Sequence, residues 1–378
     1  MPKIRTSKRT SALRVVDLFA GVGGLSYGFA HCEEFQVVAA NEILPPMAEA
    51  YRANHPEVKM YEGDIKDFGR SCLRSDLGLR VGEVDIVVGG PPCQAYSTVG
   101  KRLLSDPRGK LFQEYFRVVK ELQPQLFVYE NVKGLLSMSN GELLETIVAL
   151  FGSLKYSIQV MLLNSADYGA PQIRERVLIV GTRSKLDFKF PDPTHRDPGQ
   201  RLRSFDKALP TWRTLGDAIG DLPFIKAGEE SFEYSCKPQN DFQTRMRRGA
   251  PKRLADHNAP NHNASLISLM EALPEGGSPR DIPERMRPKS GFPNTYCRLW
   301  WDRPSTTITR NLGTPSSSRC IHPFVARGLT TREGARLQCF PDSYKFVGSR
   351  SDKNLQIGNA VPTLLSDAVA RQVVLAFR

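Results

Sequence analysis

The chain has no apolar run near the length of a membrane span, no C-x-x-C pair, no G-x-G-x-x-G, no internal repeat and no long low-complexity segment. Each absence removes a class. A transmembrane helix needs about 20 apolar residues in a row, so no membrane partner is expected. The seven cysteines (Cys32, Cys72, Cys93, Cys236, Cys297, Cys320, Cys339) are odd in number. Neither a disulfide framework nor a cysteine zinc site is expected of them, and such usage fits a reducing cytoplasm. His257 and His262 have no cysteine beside them, so they read as loop or helix-entry residues with metal binding as the lesser alternative, and no metal site is expected. The opening MPKIRTSKRTSALR is basic and lacks an apolar stretch. Residues 1–13 therefore read as a mobile arm and not as a secretory signal.

What is present is an ordinary soluble composition, 40% hydrophobic and 24% charged over 378 residues, long enough for two domains. The net charge of +12 favours a polyanionic partner, with nucleic acid first. A mildly basic protein with no such partner is the plain alternative.

The most informative stretch is Val84-Asp85-Ile86-Val87-Val88-Gly89-Gly90-Pro91-Pro92-Cys93-Gln94. A β-branched run reads as a buried parallel strand, and the glycines and prolines stop it. Cys93 is thus presented on a stiff loop at a strand's carboxyl end, where α/β sheets bind ligands. Backbone N–H groups there favour a thiolate. The bland alternative is a small buried hydrophobe.

The same strand-to-turn pattern recurs. Residues 14–19 read as a strand followed by Ala20-Gly21-Val22-Gly23-Gly24 and a helix. Glycines at a helix N-terminus let backbone approach a ligand, and Ser26 in the third position disfavours a pyrophosphate dinucleotide. Glu42 ends a second strand, placed for ribose hydroxyls, and Asp64 follows a third, placed for an adenine amino group. A helix cap is the commoner role for a single such acid. Glu130 ends the strand Leu126–Tyr129 and faces the crevice of Cys93. Ser105–Lys110 is polar and turn-rich, suited to closing over a phosphate backbone. From Thr182 to about Arg298 prolines, glycines and charges dominate, and residues 245–253 hold five basic side chains. Such a block suits phosphate contacts, with a solvated face as the alternative.

Taken in order, DLFAGVGG, NE, GDI, GGPPCQ, ENV, QIRER, RE-x-ARLQ-x-FPD and QIGNAVP make a chain that resembles a C5-cytosine DNA methyltransferase of the bacterial restriction–modification kind. The match covers most of residues 14–183 and about 298–376. Cys339 stands where members commonly carry a small residue.

The resemblance implies an α/β fold: a Rossmann-like sheet for S-adenosyl-L-methionine with a second, smaller irregular target-recognition domain. The implied domains are 14–185 (catalytic and cofactor-binding), 186–330 (target recognition) and 331–378 (a hinge and a C-terminal helix returning to the catalytic domain). Cys93 would be the nucleophile, Glu130 would contact the cytosine edge, Arg176 would hold the base and Arg174 would support the site. Asp17, Phe19, Gly21, Gly23, Gly24, Glu42, Ile43, Asp64, Ile65, Pro91 and Asn359 would form the cofactor site, Asn359 also bridging the domains. Ser97, Arg108 and Thr309 would meet DNA.

The implied activity is methyl transfer to C5 of cytosine in a specific double-stranded sequence, through base flipping and a cysteine adduct at C6. A cytoplasmic monomer is expected, nucleoid-associated when on DNA, with room for a cognate restriction endonuclease acting on the same site. A tRNA cytosine methyltransferase and a catalytically silent DNA-binding regulator stay open as alternatives.

Overall fold

The computed structural model describes residues 12–92, 110–183, 186–199, 208–289 and 291–378. Cys93, Ser97, Arg108 and most of the N-terminal arm lie outside the described residues.

Seven strands form one sheet in the order β3-β2-β1-β4-β5-β7-β6. They are β1 (Leu13–Leu18), β2 (Phe35–Glu42), β3 (Lys59–Glu62), β4 (Ile86–Gly89), β5 (Leu126–Val132), β6 (Ser157–Asn164) and β7 (Glu175–Thr182). The first five are mutually parallel, whereas β7 runs antiparallel to both β5 and β6.

The helices of this part are α1 (Tyr27–Ala30), α2 (Pro45–Asn54), α3 (Arg70–Leu77), α4 (Lys110–Leu122) and α5 (Glu142–Ser153). Alternation along the strands divides the core between two faces. Val15, Ile86, Val88, Leu126 and Val128 pack on one side. Val16, Val87, Phe127 and Tyr129 pack on the other, against Tyr115 of α4 and Phe151 of α5. Both faces are covered, which is why β4 is buried along its whole length.

Beyond the sheet come α6 (Leu215–Ile219), α7 (Asp241–Met246), α8 (Ala264–Ala272), α9 (Thr331–Leu337), α10 (Arg350–Asn359) and α11 (Thr363–Phe377). Helix α11 lays Leu365, Val369, Val373 and Val374 onto the sheet face that carries Val15 and Val88. The contact with α1 is backbone to backbone: a Cβ on Gly28 would lie 2.6 Å from the Ser366 carbonyl. The Gly28 N–H donates to Ser366 Oγ at 2.9 Å. Residues Arg350–Phe377 are long and apolar enough on average to span a membrane. Ala360–Pro362 divides that stretch into two helices, and most of it is buried in the core.

The irregular part is held by buried ion pairs. All of α9 is buried, although Arg332, Glu333 and Arg336 are charged. Arg336 donates to Asp342 through Nε and Nη2 (2.6 Å each) and to Asp221 Oδ1 (3.0 Å). Arg327 grips Glu333 with two bonds of 2.8 Å. Burial alone would raise Glu333, but the Arg327 guanidinium holds it down at about 2. The RE-x-ARLQ-x-FPD run thus owes its charges to internal pairing. His257 likewise sits buried between Thr330 Oγ1 (3.1 Å) and the Pro223 carbonyl (2.8 Å).

The basic block is also more internal than its composition suggests. Arg245 pairs with Asp367, Arg247 with Asp221, and Arg253 lies over the Phe232 ring. Arg248 and Lys252 are exposed and have no such partner among the described residues.

Candidate active site

Leu18 at the end of β1 is paired with Asn41 on one side and Gly89 on the other, and Gly89 with Tyr129. The carboxyl ends of β1, β2, β4 and β5 are therefore level. Strand order reverses between β1 and β4, which opens a crevice there. Because β7 is antiparallel to β5, its first residues arrive at the same edge: Arg176 pairs with Val132. A parallel β7 would have placed Arg174 and Arg176 at the opposite end of the sheet. The antiparallel β6–β7 pair thus builds one wall of the site.

On one side of the crevice the glycine turn folds under Glu42. Phe19, Gly21 and Gly23 have positive φ (54°, 57° and 87°), which makes the turn sharp. The Glu42 carboxylate accepts the Gly21 N–H at 2.8 Å and the Leu44 N–H at 2.9 Å. Its pKa is raised by burial, against the pull of those amides. Ile43 beside it is 58% exposed, an apolar face open to the crevice rim.

Asp17 is buried, and among the described residues no group, the nearby Ser26 hydroxyl included, meets its carboxylate oxygens in hydrogen-bond geometry. Burial pushes it up to about 7; the nearby Ser26 hydroxyl opposes the shift and Glu42 adds to it. Ser26 itself bonds Tyr51 Oη at 3.1 Å. Orphaned carboxylate oxygens in so dry a place are costly unless a cationic partner arrives.

The glycines divide their work. Nothing lies within 4 Å of a Cβ built on Gly21, so that position faces open space. On Gly23 a Cβ would meet His55 Nε2 at 2.8 Å, and on Gly24 the Val361 carbonyl at 2.6 Å. Gly23 and Gly24 are thus small because protein packs behind them. Asp64 caps the short turn Ile65–Asp67, accepting the Lys66 N–H at 3.0 Å, which lowers its pKa. Ile65 is buried among Phe68 and Tyr115 in the core.

On the other side, Glu130 Oε1 lies 2.8 Å from Arg176 Nε, with both side chains nearly buried. A Cβ on Gly90 would sit 2.6 Å from Glu130 Oε2, so the second oxygen rests against the turn that leads into Pro91–Pro92. Asn131 Nδ2 donates to the Pro91 carbonyl at 3.1 Å and pins that turn. The described residues stop at Pro92, one residue before Cys93.

Arg174 is 2% exposed and joins separate motifs. It donates to the Ile308 carbonyl at 2.6 Å and to the Gly358 carbonyl at 2.8 Å. Burial drives its pKa well below the usual guanidinium range; Arg176 adds to that and Glu130 opposes it. Gln172 does the companion work, donating to the Leu337 carbonyl at 2.6 Å while its Oε1 accepts the Ile308 N–H at 3.1 Å. Thr309 follows Ile308 and is exposed, as is Asn359, the last residue of α10. A Cβ on Gly358 would lie 2.2 Å from the Arg310 amide nitrogen, so the Thr309 loop rests directly on α10.

Gln172 and Asn131 were within motifs legible in the sequence, but neither residue type advertises a structural clamp. An Asn or Gln in a polar motif usually faces water, and only the fold shows what these two hold.

Sheet order and crevice define a Rossmann-like methyltransferase fold. Over residues 13–375 the chain matches the family model for C-5 cytosine-specific DNA methylase, and it belongs to that family. It is 35% identical over 366 residues to type II methyltransferase M1.HphI of Haemophilus parahaemolyticus, covering 96% of this chain and 87% of that protein. It is 34% identical to type II methyltransferase M.AgeI of Thalassovita gelatinovora, over 96% of this chain and 100% of that one. A solved structure described as a DNA modification methyltransferase encoded within a prophage (E. coli) superposes with a TM-score of 0.75 at 25% identity, covering 97% of this chain and 99% of the other. The Dnmt2 methyltransferase of S. pombe shares the fold at a TM-score of 0.58 and 17% identity, over 96% and 99% of the two chains. The chain is a DNA cytosine-5 methyltransferase.

Proposed function

We propose that this enzyme methylates C5 of one cytosine within a specific double-stranded DNA sequence, uses S-adenosylmethionine as methyl donor, and serves a type II restriction–modification system. The observation that carries the reading is the Glu130–Arg176 pair beside the Gly90–Pro92 turn. A carboxyl group and a guanidinium meet there at the place where the chain must present Cys93.

The residues on the opposite side fit the donor. Asp17, with both oxygens unpartnered among the described residues, suits the ammonium of its methionine part. Glu42, with acceptor capacity beyond its two amide bonds, suits ribose hydroxyls, and the exposed Ile43 suits the adenine face. When bound, S-adenosylmethionine supplies an electrophilic methyl group.

The protein's own part is to make C5 reactive. The ring carbon is a poor nucleophile until a thiolate adds to C6, which places the displaced electron pair at C5. Cys93 supplies that thiolate. Glu130, held by Arg176, meets the N3/N4 edge and stabilises charge developing in the ring. After methylation the C5 hydrogen leaves as a proton, the C6–S bond breaks, and the thiolate is restored. Neither face of a stacked cytosine is reachable, so the base is flipped out of the duplex. Thr309, Ser97 and Arg108 contact DNA, and residues 186–330 hold the elements that read the sequence. The enzyme works as a cytoplasmic monomer.

The test is incubation with S-adenosylmethionine and either plasmid DNA or tRNA, followed by bisulfite sequencing. Protected cytosines at one recurring plasmid sequence are expected. Protection confined to tRNA would replace the substrate, and protection of neither would overturn the reading.

A further inference from the structure

The glycine turn is gripped from behind by a tyrosine far away in sequence. Tyr344 is 5% exposed, and its hydroxyl donates to the Val22 carbonyl inside the turn. The same oxygen lies 3.2 Å from His55 Nε2. With its own proton committed to Val22, the Tyr344 oxygen accepts from an Nε2–H of His55. His55 is 1% exposed, and burial, aided by His31, lowers its pKa to about 4, so a neutral ring fills this role.

The peptide that follows is held as well. The Gly23 N–H donates to the Ala20 carbonyl at 2.9 Å, and Gly23 lies against the rings of His55 and Tyr51. The Val22–Gly23 peptide is thus fixed on its rear by Tyr344 and His55, while Glu42 fixes Gly21 on the crevice side.

The grip has its own support. Asn54 reads the Lys345 backbone at both ends, donating to its carbonyl at 2.8 Å and accepting its N–H at 2.9 Å. Gln356 of α10 ties the Pro46 carbonyl (3.1 Å) to the Val347 carbonyl (2.8 Å). Helix α2 is therefore locked to the 344–356 segment next to Tyr344. This arrangement is more than a filled core requires. Phenylalanine would fill the same volume, whereas the hydroxyl satisfies one carbonyl in the one turn that must keep positive φ at Phe19, Gly21 and Gly23.

We infer that Tyr344, oriented by His55, is a positioning residue for the methyl donor: it sets the Val22–Gly23 peptide, and through it the shape of the half-site that receives S-adenosylmethionine. The inference rests on the cofactor reading above. Removing the hydroxyl leaves the Val22 carbonyl buried and unpaired, and a neutral hydrogen bond of this kind corresponds to about threefold to tenfold in an equilibrium constant.

The test compares Tyr344→Phe, His55→Ala and His55→Gln with the unaltered protein. S-adenosylmethionine binding is measured by calorimetry, DNA binding without cofactor by anisotropy, and turnover by methyl transfer. Tyr344→Phe and His55→Ala should weaken cofactor binding, and raise its KM, by about threefold to tenfold. At saturating cofactor kcat should stay within about twofold and DNA affinity should not move. His55→Gln, which can still offer an N–H near the Nε2 position, should recover part of the loss. Unchanged cofactor affinity in Tyr344→Phe overturns the proposal, as does an equal loss of cofactor and DNA affinity, which marks a merely structural role. If the unaltered protein binds no S-adenosylmethionine, the cofactor reading falls and this inference falls with it.

Discussion

Replacing Arg174 by Met should separate activity from stability. The guanidinium makes two bonds, at 2.6 Å to Ile308 and 2.8 Å to Gly358. Hydrogen bonds from a charged donor contribute about 1.5–3 kcal/mol each, so about 3–6 kcal/mol of interaction is lost. The opposing effect is large. Arg174 is fully enclosed, its Nε has no partner among the described residues, and Arg176 repels it. Removing a buried charge recovers several kcal/mol of desolvation.

The net loss of stability should therefore be about 1–3 kcal/mol, read from urea unfolding. The effect on catalysis should be greater. Ile308 precedes Thr309 and Gly358 precedes Asn359, both exposed, so the two carbonyls position the segments proposed to meet DNA and the cofactor. A displacement of about 1 Å at reacting groups costs roughly 100-fold in rate. Arg174→Met is expected to lose about that much in kcat/KM while remaining folded at 25 °C. Arg174→Lys, which cannot reach both carbonyls with one ammonium, should fall between. If Arg174→Met turns over within about twofold of the unaltered enzyme, Arg174 does not organise the site.

Stability should also depend on pH with a definite sign. Burial lowers His55 to about 4 and His322 to about 3, so in the pH window from 4 to 6.5 the unfolded chain binds two more protons at these rings than the folded one. Asp17, raised to about 7, keeps a proton in the folded state there and cancels one of them. His55→Gln should lower the slope of stability against pH by up to about 1.4 kcal/mol per pH unit across that window in chemical denaturation, and an unchanged slope would contradict the assignment. Glu42→Ala should weaken S-adenosylmethionine binding more than DNA binding; equal cofactor affinity by calorimetry would remove Glu42 from the site. Grafting residues 186–298 into a related methyltransferase should transfer the methylated sequence, and an active chimera that keeps its host's target would refute that segment's role.

The placement of several motif residues at the sheet's carboxyl edge was legible because they follow strands, and strands are visible as β-branched runs. Placing Glu42 and Glu130 needed only the rule that α/β sheets bind at their carboxyl edge, whereas Asp17 entered only through the family resemblance. The antiparallel direction of β7 was not legible, since Val177–Val180 reads the same in either direction; it decides which edge receives Arg176. Helix α3 escaped notice because only Leu73 of its eight residues is buried, which leaves almost no apolar period. The charges of residues 245–253 misled in the opposite sense. Arginine next to arginine suggests a phosphate surface, but Asp221 and Asp367, which pair with Arg247 and Arg245, lie 26 and 122 residues away in sequence. Gly23 and Gly24 follow the same logic, because the groups behind them come from His55 and Val361.

The central claim is that Cys93 forms a covalent bond to cytosine C6 during methyl transfer, and fluorine tests it most directly. Duplex DNA in which 5-fluorocytosine replaces cytosine throughout contains the target whatever its sequence. Fluorine at C5 cannot leave as a proton, so the release step stops. With S-adenosylmethionine present, a protein–DNA adduct should survive denaturing electrophoresis, and peptide mass spectrometry should place it on Cys93. Cys93→Ala should give no adduct while retaining DNA binding, because phosphate contacts dominate affinity. An adduct on another cysteine, or C5 methylation by Cys93→Ala at a comparable rate, would contradict the account.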